Sequence, residues 1–336
     1  MRALVKKEAA PGGVELREMP VPQIGEDEVL LELIYGGLCR TDVSFVEWNA
    51  AAQATYRPNF PQIIGHEYLG RVIASGPGSD LPVGSRVVGS GHVVCGACPP
   101  CLAGRSMLCQ RLKVLGLDVD GVFAERFVVP QRNVAIVPDE VPDTVAALAE
   151  PFAVGLHALK RGSVQSGMKV AVVGPGSVGL MTIAALGAER VSTTAIGTEA
   201  DLHQLELASS MGVDEIRIVG RDTDQVAGTF DVVFETAGHA SAVSLAVELV
   251  APGGTVVCVG LPAHPVEINS GRLAMTEKSL VGARAHDISD WKNVPQMLAK
   301  ATGLAAIDVK AVGLDELDHA IHLTATRQAS KVLLAP

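Results

Sequence analysis

The sequence predicts an α/β protein of two unlike parts: a mostly-β part over about the first 150 residues, then a doubly wound parallel sheet. Three observations carry this. Lys169 to Ala188, KVAVVGPGSVGLMTIAALGA, reads as a short buried strand, a glycine turn and a helix. Further strand and helix patterns alternate after it. Before it, short apolar or alternating runs are separated by Pro and Gly with no strong βα alternation.

In the first part the runs are MRALV, GVELREM and DEVLLELIYGG, then a long irregular segment, then IIGHEYLGRVIASG, GSRVVGSG and FAERFVVP. In the second they are VSTTAIG with DLHQLELASSMG, EIRIVG, FDVVFETAG with SAVSLAVELV, TVVCVGLP and KSLVGARA. Strands joined by right-handed helical crossovers suit a parallel sheet. The stretch DWKNVPQMLAKATG reads as a helix, and the terminal GLDELDHAIHLTATRQASKVLLAP as a helix followed by a short strand.

A chain of 336 residues, 48% hydrophobic and 19% charged, can bury two cores. Its net charge of -10, with no basic stretch to offset it, excludes nucleic acid and anionic membrane as partners. The beginning, MRALVKKEAAPGGVELREMP, turns polar within a few residues and contains no signal-peptide apolar region. Six cysteines in such a chain point to the cytoplasm and to metal or redox chemistry rather than a disulfide scaffold.

Gly174, Gly176 and Gly179 form a GxGxxG. These glycines let the backbone turn tightly and approach a pyrophosphate. A helix starting near Val178, just after Ser177, offers unpaired N–H groups and a positive dipole end to the phosphates. Val170 to Ala188 holds no charge, so a membrane span is the competing reading. The central Gly-Pro-Gly and the βα rhythm on both flanks argue against it.

Two cysteine groups carry further chemistry. Cys95, Cys98, Cys101 and Cys109 give CxxCxxC and a fourth Cys seven residues on, a spacing that lets four thiolates surround one tetrahedral, structural zinc. The alternative is free or disulfide-bonded cysteines on a surface loop. Cys39, in GLCRTD, and His66, in Gly65-His66-Glu67, suit a catalytic zinc with three protein ligands and one open place. Cys258 lies in the apolar run TVVCVG and reads as a buried inert thiol. The third ligand is then a carboxylate, either Glu67 or Glu150.

In order and spacing, GLCRTD, GHE, the four-cysteine lobe, AEP at Ala149 to Pro151 and GPGSVG resemble the zinc-dependent medium-chain dehydrogenases across essentially the whole chain. The resemblance implies a GroES-like catalytic domain at 1–153 with its structural-zinc lobe at about 91–111, a Rossmann NAD(P)-binding domain at 154–289, and a return to the catalytic domain at 290–336. It implies a catalytic zinc at Cys39, His66 and an acid, with Glu150 the preferred ligand and Glu67 its exchanging neighbour. Asp42 would orient the ligands. It also implies a homodimer or homotetramer, with KSLVGARA part of the dimer contact.

Within the family the chain resembles the threonine and polyol dehydrogenase branches. FVEWNAAAQ, His92 just before the lobe and EPFAVGLHA lean to the threonine side, whereas Ala51 stands in place of that branch's second tryptophan. Ser44 stands where those relatives carry a relay histidine, and serine cannot serve as a base near neutral pH. Proton release then runs through Thr41 and on to water, the cofactor ribose or His92. Arg40 resembles the alcohol dehydrogenase branch, where it reaches the pyrophosphate. Gly260 and Leu261 fall where the family lines the nicotinamide pocket.

At the end of the second strand, IGTEADLHQ, Glu199 can accept hydrogen bonds from the adenosine ribose and repel a 2′-phosphate, favouring NAD over NADP. The expected activity is oxidation of a secondary alcohol on a small polar substrate, an L-threonine-like hydroxy amino acid or a polyol or cyclitol, by hydride transfer to NAD. The alternatives are a ketone reductase using NAD(P)H and a non-enzymatic binding protein on the same fold. Pocket walls around Trp48, His92 and Arg284 to Trp291 would set the substrate.

Overall fold

A computed structural model describes residues 1–189 and 191–336. By contacts the chain divides into two compact units, one of Met1–Glu150, Asp287–Ala299 and Asp308–Pro336, the other of Pro151–His286 and Lys300–Ile307.

The first unit is mostly β. Its central strand, Glu28–Leu38, is the long apolar run of the sequence, and Val29, Leu31, Leu33 and Leu38 enter the core. It pairs antiparallel with Glu67–Ser75 on one side and with Lys331–Ala335 from the chain's far end on the other. The sheet runs Val134–Ile136, Arg86–Gly89, Glu67–Ser75, Glu28–Leu38, Lys331–Ala335, Val309–Gly313, with Arg126–Pro130 also pairing to Glu28–Leu38. Leu31, Phe45, Tyr68, Phe123, Phe127 and Leu334 are among the side chains that fill its core.

The second unit is a six-stranded sheet, parallel throughout, in the order Glu215–Ile218, Ser192–Gly197, Lys169–Val173, Phe230–Glu235, Val250–Cys258, Ser279–Gly282. The first three go outward in one direction and the next three in the other. This places a switch point between Lys169–Val173 and Phe230–Glu235, where doubly wound sheets bind ligands at their carboxyl ends. The glycine turn sits there. Among the described residues no helix is long and apolar enough to cross a membrane.

Candidate active site and cofactor site

Three neighbouring strand ends build the first site. Cys39 follows the end of Glu28–Leu38, Glu67 opens the strand paired to it, and Lys331 opens the strand on its other side. Gly37, opposite Glu67 in register, has no side chain for a physical reason: a Cβ there would meet Glu67 Oε2 at 2.3 Å and Lys331 Cε at 3.1 Å. His66 is set by Gly65, whose φ of +94° turns the chain into the strand.

Ligand atoms of Cys39, His66 and Glu67 lie within 4.8 Å of one another. Cys39 also caps the helix Arg40–Val46: the Thr41 N–H donates to its sulfur at 3.5 Å, and the Cys39 N–H donates to Asp42 Oδ2 at 3.0 Å. Asp42 Oδ1 holds His66 Nδ1 at 2.8 Å, which leaves Nε2 for a metal. Burial is the largest influence on the His66 pKa and pulls it down. The charge and hydrogen bond of Asp42, helped by Cys39, outweigh burial and leave the pKa well above the usual histidine value.

Glu67 Oε2 sits 2.5 Å from Lys331 Nζ, and both side chains are almost wholly buried. Burial pushes the Glu67 carboxyl up to about 7 against the pull of that ammonium. Lys331 loses solvation too, but Glu67, Cys39 and Glu150 face it, so its pKa is raised and it remains the cation. Glu150, in the first turn of the helix Ala149–Arg161, is buried with its carboxylate within 4.8 Å of a His92 ring nitrogen. Thr41 and Ser44 are half-buried on the helix Arg40–Val46, and Arg40 is exposed. Trp48 packs edge-on against Phe45 and Phe60 at 5.5 and 5.4 Å and borders an open recess of about 520 Å³ with Tyr56 and Arg57.

The four-cysteine lobe brings its sulfurs together as the spacing predicts. The four lie within 4.8 Å of one another, with Cys98 to Cys101 at 3.4 Å and Cys95 to Cys101 at 4.0 Å. These separations bracket the sulfur spacing of roughly 3.8 Å that tetrahedral zinc bonds of about 2.3 Å imply. The Ala97 N–H and further donors pull Cys95 down to about 5, whereas burial and the neighbouring thiols push Cys101 up to about 12. Four thiolates this close need a cation, and the donor set fits zinc. Cys258 is half-buried rather than buried, and burial together with Glu235 keeps its thiol protonated.

In the second unit the glycine turn has the shape a pyrophosphate needs. Gly174 takes φ +94° against Ala237, and a Cβ on Gly179 would strike the Gly174 carbonyl at 2.1 Å. Nothing lies within 4 Å of where a Cβ on Gly176 would be, so the backbone there is open to a ligand. The helix begins at Ser177, one residue before Val178. Glu199 lies two residues beyond the strand end at Gly197, exposed, with Arg221 at 3.8 Å. Gly260 and Leu261 follow the end of Val250–Cys258, and Leu261 is 88% exposed.

Among the buried charged residues that sequence pattern does not reveal are two at strand ends. Lys331 opens the apolar run KVLLA, and Glu235 closes the apolar run FDVVFE. A charge at the end of a buried strand was the available signal.

Comparison with known proteins agrees with this geometry. Residues 25–139 match the alcohol dehydrogenase GroES-like domain and residues 174–300 the zinc-binding dehydrogenase domain. The L-threonine 3-dehydrogenase of Bacillus licheniformis is 31% identical over 100% of this chain and 99% of its own. A protein assigned as a zinc-binding dehydrogenase from Sinorhizobium meliloti 1021, solved with NADP, superposes with a TM-score of 0.89 at 27% identity, covering 100% of this chain and 99% of that one. Galactitol-1-phosphate dehydrogenase from Escherichia coli gives 0.87 at 27% identity with both chains covered in full, 100% each. The chain belongs to the zinc-dependent medium-chain dehydrogenases, oxidoreductases that act on CH–OH groups.

Proposed function

We propose that this protein oxidises the secondary alcohol of a small polar substrate, an L-threonine-like hydroxy amino acid, with NAD as the hydride acceptor. The convergence of Cys39, His66 and Glu67 at two neighbouring strand ends, in a chain whose relative from Bacillus licheniformis is an L-threonine 3-dehydrogenase, supports this most directly. Cys39, His66 and Glu150 would hold the catalytic zinc, and the four-cysteine lobe a structural one. When bound, the zinc supplies Lewis acidity to the substrate oxygen and NAD takes the hydride.

The chain's own residues supply the rest. Asp42 fixes the His66 ring. Lys331 holds Glu67 to one side, so that Glu150 serves as the standing ligand and Glu67 as its exchanging neighbour. Thr41 Oγ1 receives the substrate proton and passes it outward. Ser44 hydrogen-bonds in that path without acting as a base.

Gly174, Gly176, Ser177, Val178 and Gly179 bind the pyrophosphate through backbone N–H groups. Glu199 takes the adenosine ribose: its ion pair with Arg221 is exposed on both sides, worth little, and easily exchanged for ribose hydroxyls. Gly260 and Leu261 line the nicotinamide. A second copy pairs at the edge strand Ser279–Gly282, giving a homodimer or a tetramer built from it.

A polyol or cyclitol substrate is the second reading, favoured by the likeness to galactitol-1-phosphate dehydrogenase. Incubation of the purified protein with NAD and L-threonine, beside polyols and cyclitols and with a chelator-treated control, separates the two. Chelator-sensitive NADH formation with L-threonine supports the first reading. Turnover of polyols or cyclitols alone replaces it with the second.

A further inference from the structure

We propose that Glu235 is a positioning residue for the nicotinamide half of the dinucleotide, holding the two loops that border that half at a fixed spacing. The proposal rests on the cofactor site described above. Glu235 ends the strand at the centre of the parallel sheet, in register with Val173 on one side and Cys258 on the other.

One residue ties both loops. Its main-chain carbonyl accepts the N–H groups of Val259 at 2.9 Å and Gly260 at 3.0 Å. Its carboxylate, wholly buried, accepts the Gly238 N–H at 2.7 Å through Oε1. This bond folds the turn after the strand back onto the strand's own last side chain. Oε2 has no hydrogen-bond partner among the described residues, and a Cβ on Gly260 would come within 2.7 Å of it.

Burying a carboxylate is costly, and an apolar side chain would fill a strand end at less expense. What the carboxylate adds is rigidity in the turn, which is wedged between the glycine turn and Gly260. Thr236 fixes the side toward the glycine turn by itself: its hydroxyl donates to the carbonyls of Val173 at 3.0 Å and Gly174 at 2.7 Å. Removing the Glu235 carboxylate therefore frees Gly238, which lies directly against Gly260, while the main-chain bonds to Val259 and Gly260 and the pyrophosphate side stay held. The consequence is a selective loss.

Equilibrium titration with NADH and, separately, with ADP-ribose, which lacks the nicotinamide, reads that selectivity. Glu235→Ala should bind NADH about tenfold more weakly, the effect of leaving a buried donor unpaired, with ADP-ribose affinity unchanged within about twofold. Glu235→Gln, which keeps an acceptor oxygen, should restore NADH binding. If the alanine variant does not fold, Glu235→Asp carries the test, because a side chain one methylene shorter cannot reach the Gly238 N–H and predicts the same selective loss. Unchanged NADH affinity, equal weakening of both ligands, or a glutamine variant no better than alanine overturns the proposal. A wild-type protein that binds neither ligand overturns the cofactor reading, and the proposal with it.

Discussion

Lys331 and Glu67, from opposite ends of the chain, form a 2.5 Å ion pair with relative side-chain exposures of 4% and 1%. Water does not screen such a pair, and its value lies in each charge cancelling the other's burial cost. Lys331→Met leaves Glu67 buried alone and should destabilise the protein by about 3 kcal/mol in urea unfolding. Adding Glu67→Gln should recover part of that loss. Two independent, additive losses would show that the charges do not stabilise one another.

Asp42 acts on two candidate ligands at once, the His66 ring through one oxygen and the Cys39 backbone through the other. Asp42→Asn turns one of those acceptors into a donor. Zinc affinity at the catalytic site or kcat/KM should fall by about 10 to 100-fold, as when such supporting partners are removed elsewhere. Zinc competition with a coloured chelator and steady-state kinetics measure the two effects, and no change in either would remove Asp42 from the site.

Ser44 lacks a side chain that can take a proton near neutral pH. Ser44→His should raise turnover or lower the pH optimum of alcohol oxidation. A pH–rate profile identical to wild type would show that the proton leaves by a route that does not pass Ser44.

Burial lifts the Glu235 carboxyl above its ordinary value of 4.5, against the opposing hydrogen bonds from Gly238, Ala237 and His239. The folded protein keeps that proton to a higher pH than the unfolded chain does. The stability it contributes is present below about 4.5 and is lost as pH rises through the folded value. Glu235→Gln does not titrate. The wild-type minus variant difference in unfolding free energy should therefore fall as pH rises above 4.5, whereas a flat difference would place the carboxyl at its ordinary pKa.

Local pattern carries most of the fold. The apolar runs, the glycine turn and the βα rhythm are short-range features, and the six parallel strands fall on VAVV, TTAIG, EIRI, DVVFE, TVVC and SLVG. Close sequence spacing likewise gathers the four thiols of the lobe. What is not legible is what the fold supplies from a distance. No pattern in KVLLA says that its lysine will meet Glu67, because that pairing depends on the terminal strand lying beside Glu28–Leu38. Nor does FDVVFE reveal that the Gly238 N–H will turn back onto its last carboxylate. The buried partner of Glu67 is hidden in sequence for the same reason, since Lys331 reaches it from the terminal strand.

Metal content read together with activity tests the central claim most directly. The purified protein should hold two zinc ions per chain, one lost in Cys39→Ser along with alcohol oxidation and the other lost in Cys98→Ser. NAD-dependent oxidation that persists at full rate in metal-free protein, or a Cys39→Ser variant that keeps both ions and its activity, would contradict the account.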